Sequence, residues 1–144
     1  MPASRYDIYA EQGTTFKLHM QYKFAGGTGI NLSNYTGEIQ VRRSIRDDKA
    51  LLYITTNGVT GGGVTGDFNI GSSGVAGVGG ISFNTGLNGE SGVTGGILIR
   101  VDKTTMSRIP YGKHFYDFEL TNPSNETVRL TEGSFEVSRE ITRI

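Results

Sequence analysis

Two histidines supply all the imidazole in this 144-residue chain, and neither has the company that catalysis requires. His19 falls on the polar side of an alternating run. His114 shares a second run with Tyr116 and Phe118. A triad needs a nucleophile, an imidazole base and an orienting carboxylate converging in space. Cysteine is absent and no nucleophile-elbow pattern occurs, so both histidines read as ordinary strand residues. Asp117 and Glu119, two apart, occupy one face of a strand, and two facing carboxylates are what glycoside hydrolysis uses. On an exposed face such a pair is usually just solvated. The expectation is no catalytic residue.

Metal and anion chemistry fare no better. The glycine-rich stretch 58–96 evokes calcium-binding β-roll repeats, yet those need recurrent aspartates, and Asp67 and Glu90 are its only acids. A phosphate loop would need a lysine after its glycines, and none stands there. Arg42, Arg43, Arg46 and Lys49 form a basic cluster that Asp47 and Asp48 neutralise locally. It reads as a solvated strand end or a subunit-facing set of salt bridges. No cofactor and no metal is expected. Lysine plus arginine (14) balance aspartate plus glutamate (14), which leaves no field to steer polyanions or hold a membrane surface. Nucleic acid and membranes are therefore not expected partners. Sequons at Asn31, Asn34 and Asn125 would matter only in a secreted eukaryotic protein.

The elements that would position these residues read as β almost throughout. From Thr14 to Phe24, apolar Phe16, Leu18, Met20, Tyr22 and Phe24 alternate with polar neighbours, a period of two with one face buried. Residues 25–29 break that strand with a glycine cluster. Ile39 and Val41 alternate with Glu38, Gln40 and Arg42, and 51–55 is a short strand. Ile97 to Val101 follows the tract. Asp102 to Ile109 reads as one helical turn with Asp102 as N-cap. His114, Tyr116, Phe118 and Leu120 then alternate with polar residues, and Val128, Leu130, Phe135 and Val137 complete the pattern. Gly133 marks a bulge or strand switch there. Many short strands with hardly any helix indicate an all-β, antiparallel sandwich in a single domain spanning 1–144.

A chain of this length buries roughly 68–70% of its unfolded surface, enough for one core. Its hydrophobic content of 35% is below that of typical domains, so the core is economical or shared with another subunit. Between Gly58 and Gly96 lie 15 of the 22 glycines and no lysine or arginine. Glycine has no side chain to bury and loses most backbone entropy on ordering, so this span reads as a long insertion held by neighbours. Within it, Phe68 and Ile70 could pair with Ile81 and Phe83 as a hairpin. Gly58-Val59-Thr60-Gly61-Gly62 recurs at Gly92-Val93-Thr94-Gly95-Gly96, through composition bias or as a symmetric hairpin base. The opening segment has no basic cluster followed by an apolar stretch, and no run of about 18 apolar residues occurs anywhere. Neither export by a signal peptide nor a spanning helix is expected.

Four blocks together resemble one small family. They are Tyr6 to Phe16; Ile30 to Gly37 with Gln40-Val41-Arg42-Arg43; Ile109-Pro110-Tyr111-Gly112 leading into Tyr116 to Leu120; and Val128 to Val137 ending in Glu140 to Arg143. In combination they are similar to bacteriophage and prophage virion proteins of the tail and baseplate β-sandwich type. That resemblance implies an immunoglobulin-like sandwich that packs into a phage particle without enzymatic activity, its partners being other virion proteins and its own copies in a symmetric assembly. The tract is longer than the family's connection at this point. The assembly contacts expected from these readings are Gly61, Val64, Phe68, Ile70, Ile81, Phe83 and Asn88 in the tract, with Arg42 and Arg43 beside it. Two other roles use the same sandwich: a capsid decoration protein, and a host-surface carbohydrate binder whose contact set includes the asparagines of the tract.

Overall fold

The computed structural model describes residues 4–44, 46, 49–56, 58–61, 68–69, 79–87, 89–101, 103–107 and 109–139. The elements in chain order are β1 Ser4–Arg5, β2 Ile8–Glu11, β3 Phe16–Gln21, β4 Thr36–Arg42, β5 Lys49–Ala50, β6 Leu52–Thr55, β7 Gly58–Gly61, β8 Phe68–Asn69, β9 Gly79–Phe83, β10 Gly96–Val101, helix α1 Lys103–Ser107, β11 Gly112–Thr121 and β12 Thr127–Ser138. A seven-stranded sheet runs β1-β12-β11-β4-β6-β7, with β2 also on β12. A three-stranded sheet runs β3-β10-β9, and β5 pairs with β8. The result is an all-β sandwich.

Period-two alternation places one set of side chains between the sheets. From the large sheet come Ile39, Val41, Leu52, Ile54, Tyr116, Phe118, Leu120, Phe135 and Val137, all buried; from the small sheet come Phe16, Ile81, Ile97, Ile99 and Val101. Phe16 meets Phe135 edge to face, with ring centroids 5.5 Å apart, and Tyr116 meets Phe135 at 6.5 Å. Such T-shaped pairs add roughly 0.5–1.5 kcal/mol each beyond their buried area. Met106 of α1 and Ile109 after it are fully buried and join this core. The expected helical turn is therefore present, with its proposed cap, Asp102, outside the described residues.

The expected antiparallel order has an exception at the chain's first strands. β1 and β2 both run parallel to β12, Ser4 beside Thr131 and Ile8 beside Phe135. Between them the chain crosses Gly133. A Cβ on Gly133 would lie 2.5 Å from the Tyr6 carbonyl oxygen and 2.8 Å from Asp7 Oδ1, distances that no real Cβ keeps. The glycine is thus there for close approach, and β12 passes through it unbroken. The bulge falls instead at Leu130, because Phe118 pairs with Thr131 while Glu119 pairs with Arg129.

Within the glycine-rich span, the anticipated hairpin of Phe68–Ile70 with Ile81–Phe83 does not form among the described residues. β8 pairs with β5, and β9 pairs with β10, so that Ile81 sits opposite Ile99 and Phe83 opposite Ile97. Apolar partners on β10 give these side chains a core to join, which a glycine-flanked hairpin would lack. The two repeat copies also part ways. Residues 58–61 form β7 on β6, whereas 92–95 form a turn entering β10, so the repetition is compositional.

That turn is anchored by Asn84, which holds a positive φ of 53°. Its Oδ1 accepts from the Leu32 and Gly95 amides at 3.1 and 3.2 Å, and its Nδ2 donates to Asn31 Oδ1 at 3.0 Å. Gly95, at φ 82°, lets this turn lie against the 22–30 loop: the Tyr22 amide donates to the Gly95 carbonyl at 2.8 Å, and a Cβ on Gly95 would be 2.5 Å from the Tyr22 oxygen. The end of the span, as described over 79–87 and 89–96, is tied into the sandwich through β9, β10 and the turn held by Asn84.

Candidate functional site

The pleat that sends Tyr116 and Phe118 inward sends their neighbours to the outer face of the large sheet. Strand register sets those neighbours in rows. One row reads Tyr53, Gln40, Asp117, Glu132 and Arg5 across β6, β4, β11, β12 and β1. The next toward one end has Arg42, Phe115 and Ser134; the next toward the other has Glu38, Glu119 and Arg129. Between the long side chains lies an open depression of about 620 Å³ lined by Arg5, Gln40, Arg42, Phe115, Asp117, Arg129 and Glu132. Gly133, with no side chain, contributes to its wall. Phe115 is 40% exposed there, a large apolar ring among charged groups.

Polar contacts tie the rows together. Arg42 donates to Gln40 Oε1 at 2.8 Å, and Gln40 Nε2 donates to Glu38. Arg129 Nε lies 3.4 Å from Asp117 Oδ2, and its Nη1 4.0 Å from Glu132 Oε1. Arg5 pairs with Asp7 at 3.3 Å. Burial raises the Asp117 carboxyl above its ordinary value, and the pull of Arg129 does not offset burial plus the charges of Glu132 and Glu38. Glu119 is also raised, by burial and then by Asp117 and Glu38. Burial beside Glu38 raises the Tyr53 phenol. Asp7 behaves oppositely: the buried Ser134 amide donates to its Oδ1 at 3.1 Å and lowers its pKa. Asp117 and Glu119 are thus half-buried and electrostatically crowded, not the fully solvated pair their spacing suggested.

The histidines are pinned by backbone. His19 Nε2 is 2.9 Å from the Thr85 carbonyl oxygen, and His114, 5% exposed, has Nε2 2.7 Å from the Pro110 oxygen. Among the described residues no group of three histidine, aspartate or glutamate side chains is placed to hold a metal ion. No described helix is long and apolar enough to cross a membrane.

The expected contact residues are not brought together. Ile81 is 4% exposed within the core, so its side chain is unavailable to a partner, and Phe83 packs half-buried against the same core. Gly61 ends β7 at the sheet edge, and Phe68 lies in β8. Val64, Ile70 and Asn88 lie outside the described residues. Arg43 is exposed, and Arg42 alone among them enters the depression. Phe115, Gln40, Arg129, Glu132 and Arg5 were missed. Alternation marked several of them as outward-facing, but nothing in their spacing shows that they meet.

No protein-family model and no curated protein sequence matches the chain.

Proposed function

We propose that this chain is a non-enzymatic structural protein of a tailed-phage virion, an immunoglobulin-like sandwich that assembles in the tail or baseplate as an adaptor or fibre-attachment module. The observation that carries the reading is the convergence of the four resembling blocks. Tyr6 to Phe16 contains β2, the other three blocks cover most of β4, β11 and β12 in turn, and β2, β12, β11 and β4 are consecutive in one sheet. Segments far apart in sequence therefore build one continuous surface, as a module selected for its whole shape would.

Open edges add support. β7 ends the large sheet, and β3 and β9 flank the small one, each paired on one side only among the described residues. A free sheet edge is a template for a neighbouring strand, a liability in a monomer and a docking surface in an assembly. Copies of this chain and other virion proteins are its partners in this reading, and the virion is where it resides. The test is a particle reconstruction combined with mass spectrometry of gradient-purified particles. Density fitting this sandwich in the tail or baseplate is expected. Its absence from the particle overturns the reading, and density on the head shell would replace the tail placement with capsid decoration.

A further inference from the structure

We infer that the depression on the outer face of the large sheet binds a neutral saccharide, with Phe115 as its stacking platform and Asp117, Glu132 and Arg129 as its hydroxyl contacts. This goes beyond a role in assembly and rests on the site's own chemistry.

A pyranose ring is amphipathic. Its C–H faces are apolar, and its rim carries hydroxyls that both donate and accept. Phe115 offers a matching flat ring, 40% exposed on the middle strand of the depression, where packing against the core does not account for its apolar surface. Asp117 flanks it along β11, with Arg42 opposite it on β4. Carboxylates accept from ligand hydroxyls, and guanidinium groups carry five donors in a fixed fork, so Asp117, Glu132 and Arg129 can serve both hydroxyl roles. Asp117 and Arg129 are already held together at 3.4 Å, which preorganises them.

Charge and size select the ligand class. Arg5, Arg42 and Arg129 face Asp117 and Glu132, with Asp7 paired to Arg5, so positive and negative groups balance around the cavity and no net field favours an anion. A volume of about 620 Å³ lies in the range of small-molecule sites, roughly 300–1,000 Å³. An extended peptide strand would seek open backbone edges, whereas this face, Arg5 of β1 apart, presents side chains from β4, β11 and β12, which are bonded on both sides. A neutral ring with hydroxyls fits better.

The experiment titrates the full isotope-labelled chain with methyl glucoside, methyl galactoside, methyl rhamnoside and N-acetylglucosamine, using glucuronate and sulfate as anion controls and following backbone amides by NMR. At least one neutral sugar should give saturable shifts centred on Phe115, Asp117 and Glu132, at about millimolar affinity. Phe115→Ala should weaken that binding by about tenfold or more, while Phe115→Tyr retains it. Asp117→Asn, which leaves the ring in place, should weaken it as well and serves as the second variant if Phe115→Ala does not fold. Absence of saturable shifts at these amides with every neutral sugar overturns the proposal. So does binding of the anions alone, saturable shifts confined to the 79–96 region, or sugar affinity unchanged in both Phe115→Ala and Asp117→Asn. Because the titration uses the isolated chain, its outcome is independent of whether the protein is found in a particle.

Discussion

The two faces of the large sheet are built by the same strands and have opposite fates. On β11, Tyr116, Phe118 and Leu120 are buried against β3, β9 and β10, while Phe115, Asp117 and Glu119 alternate with them on the outside. Inside, apolar groups make many small contacts, and among the described residues no buried side-chain polar atom lacks a hydrogen-bond partner. Outside, carboxylates and guanidinium groups crowd around the exposed ring of Phe115, and burial raises the Asp117 and Glu119 carboxyls above their ordinary values. The inner face carries the packing, and the pleat leaves the outer face, where the proposed saccharide site lies, outside that core.

The sharpest way to break that division is to truncate a ring on each face. Phe118→Ala should destabilise by about 3–5 kcal/mol in urea unfolding, since Phe118 is fully buried. Phe115→Ala should change stability by no more than about 0.5 kcal/mol. Equal losses would mean that the outer face also carries the fold. Gly133→Ala comes next, at about 1–3 kcal/mol, because its Cβ must push Tyr6 and Asp7 away from β12. Hydrogen exchange should then speed up at β1 and β2, and unchanged exchange there would show that the N-terminal strands are not held by this approach. Asn84→Ala should cost about 1–3 kcal/mol by leaving the Leu32 and Gly95 amides without their acceptor and placing alanine at positive φ.

Titration sharpens the comparison further. A carboxyl whose folded-state pKa is raised holds its proton more tightly folded than unfolded, so the stability it withholds at neutral pH returns as pH falls through the carboxylate range. Asp117 and Glu119 are of this kind. Asp117→Asn should therefore be at least as stable as the parent at about pH 7, with the difference shrinking toward about pH 4. Asp7, whose pKa is lowered, stabilises above the ordinary carboxylate range and loses that contribution as pH falls. Asp7→Asn should accordingly flatten the acid limb of the parent's stability profile, and a parallel response of the two variants would contradict these assignments. The smallest effect is expected for Arg129→Ala, under about 1 kcal/mol, because its ion pairs are half exposed. Thermal melting should resolve it from the parent only at low salt.

Alternation was readable for most of the core, although Phe24 and Val128, which it also set on the apolar side, are exposed. Phe16, Ile39, Val41, Phe118, Phe135 and Val137 all lie in the core where a period of two placed them, because the pleat is a local property of the backbone. The hairpin within the glycine-rich span was misread because alternation does not say which strand is the partner. Ile81 and Phe83 could equally face another island or β10, and only the burial available on β10 decided between them. Gly133 and Asn84 were opaque for a related reason: one answers to the approach of Tyr6 and Asp7, the other to Leu32 and Gly95, and each partner is remote in sequence.

From its residues alone, this chain is committed to strands, to an apolar and a polar side on each, and to a single shared interior. Strand order was settled only in three dimensions, and with it the parallel seating of the first strands on the last and the meeting of Arg5, Gln40, Phe115, Asp117 and Arg129 over one hollow. The physical reason is one of range. Side-chain direction follows from the geometry of adjacent peptides, whereas adjacency across a sheet is chosen by which of many similar apolar strands buries the most surface together.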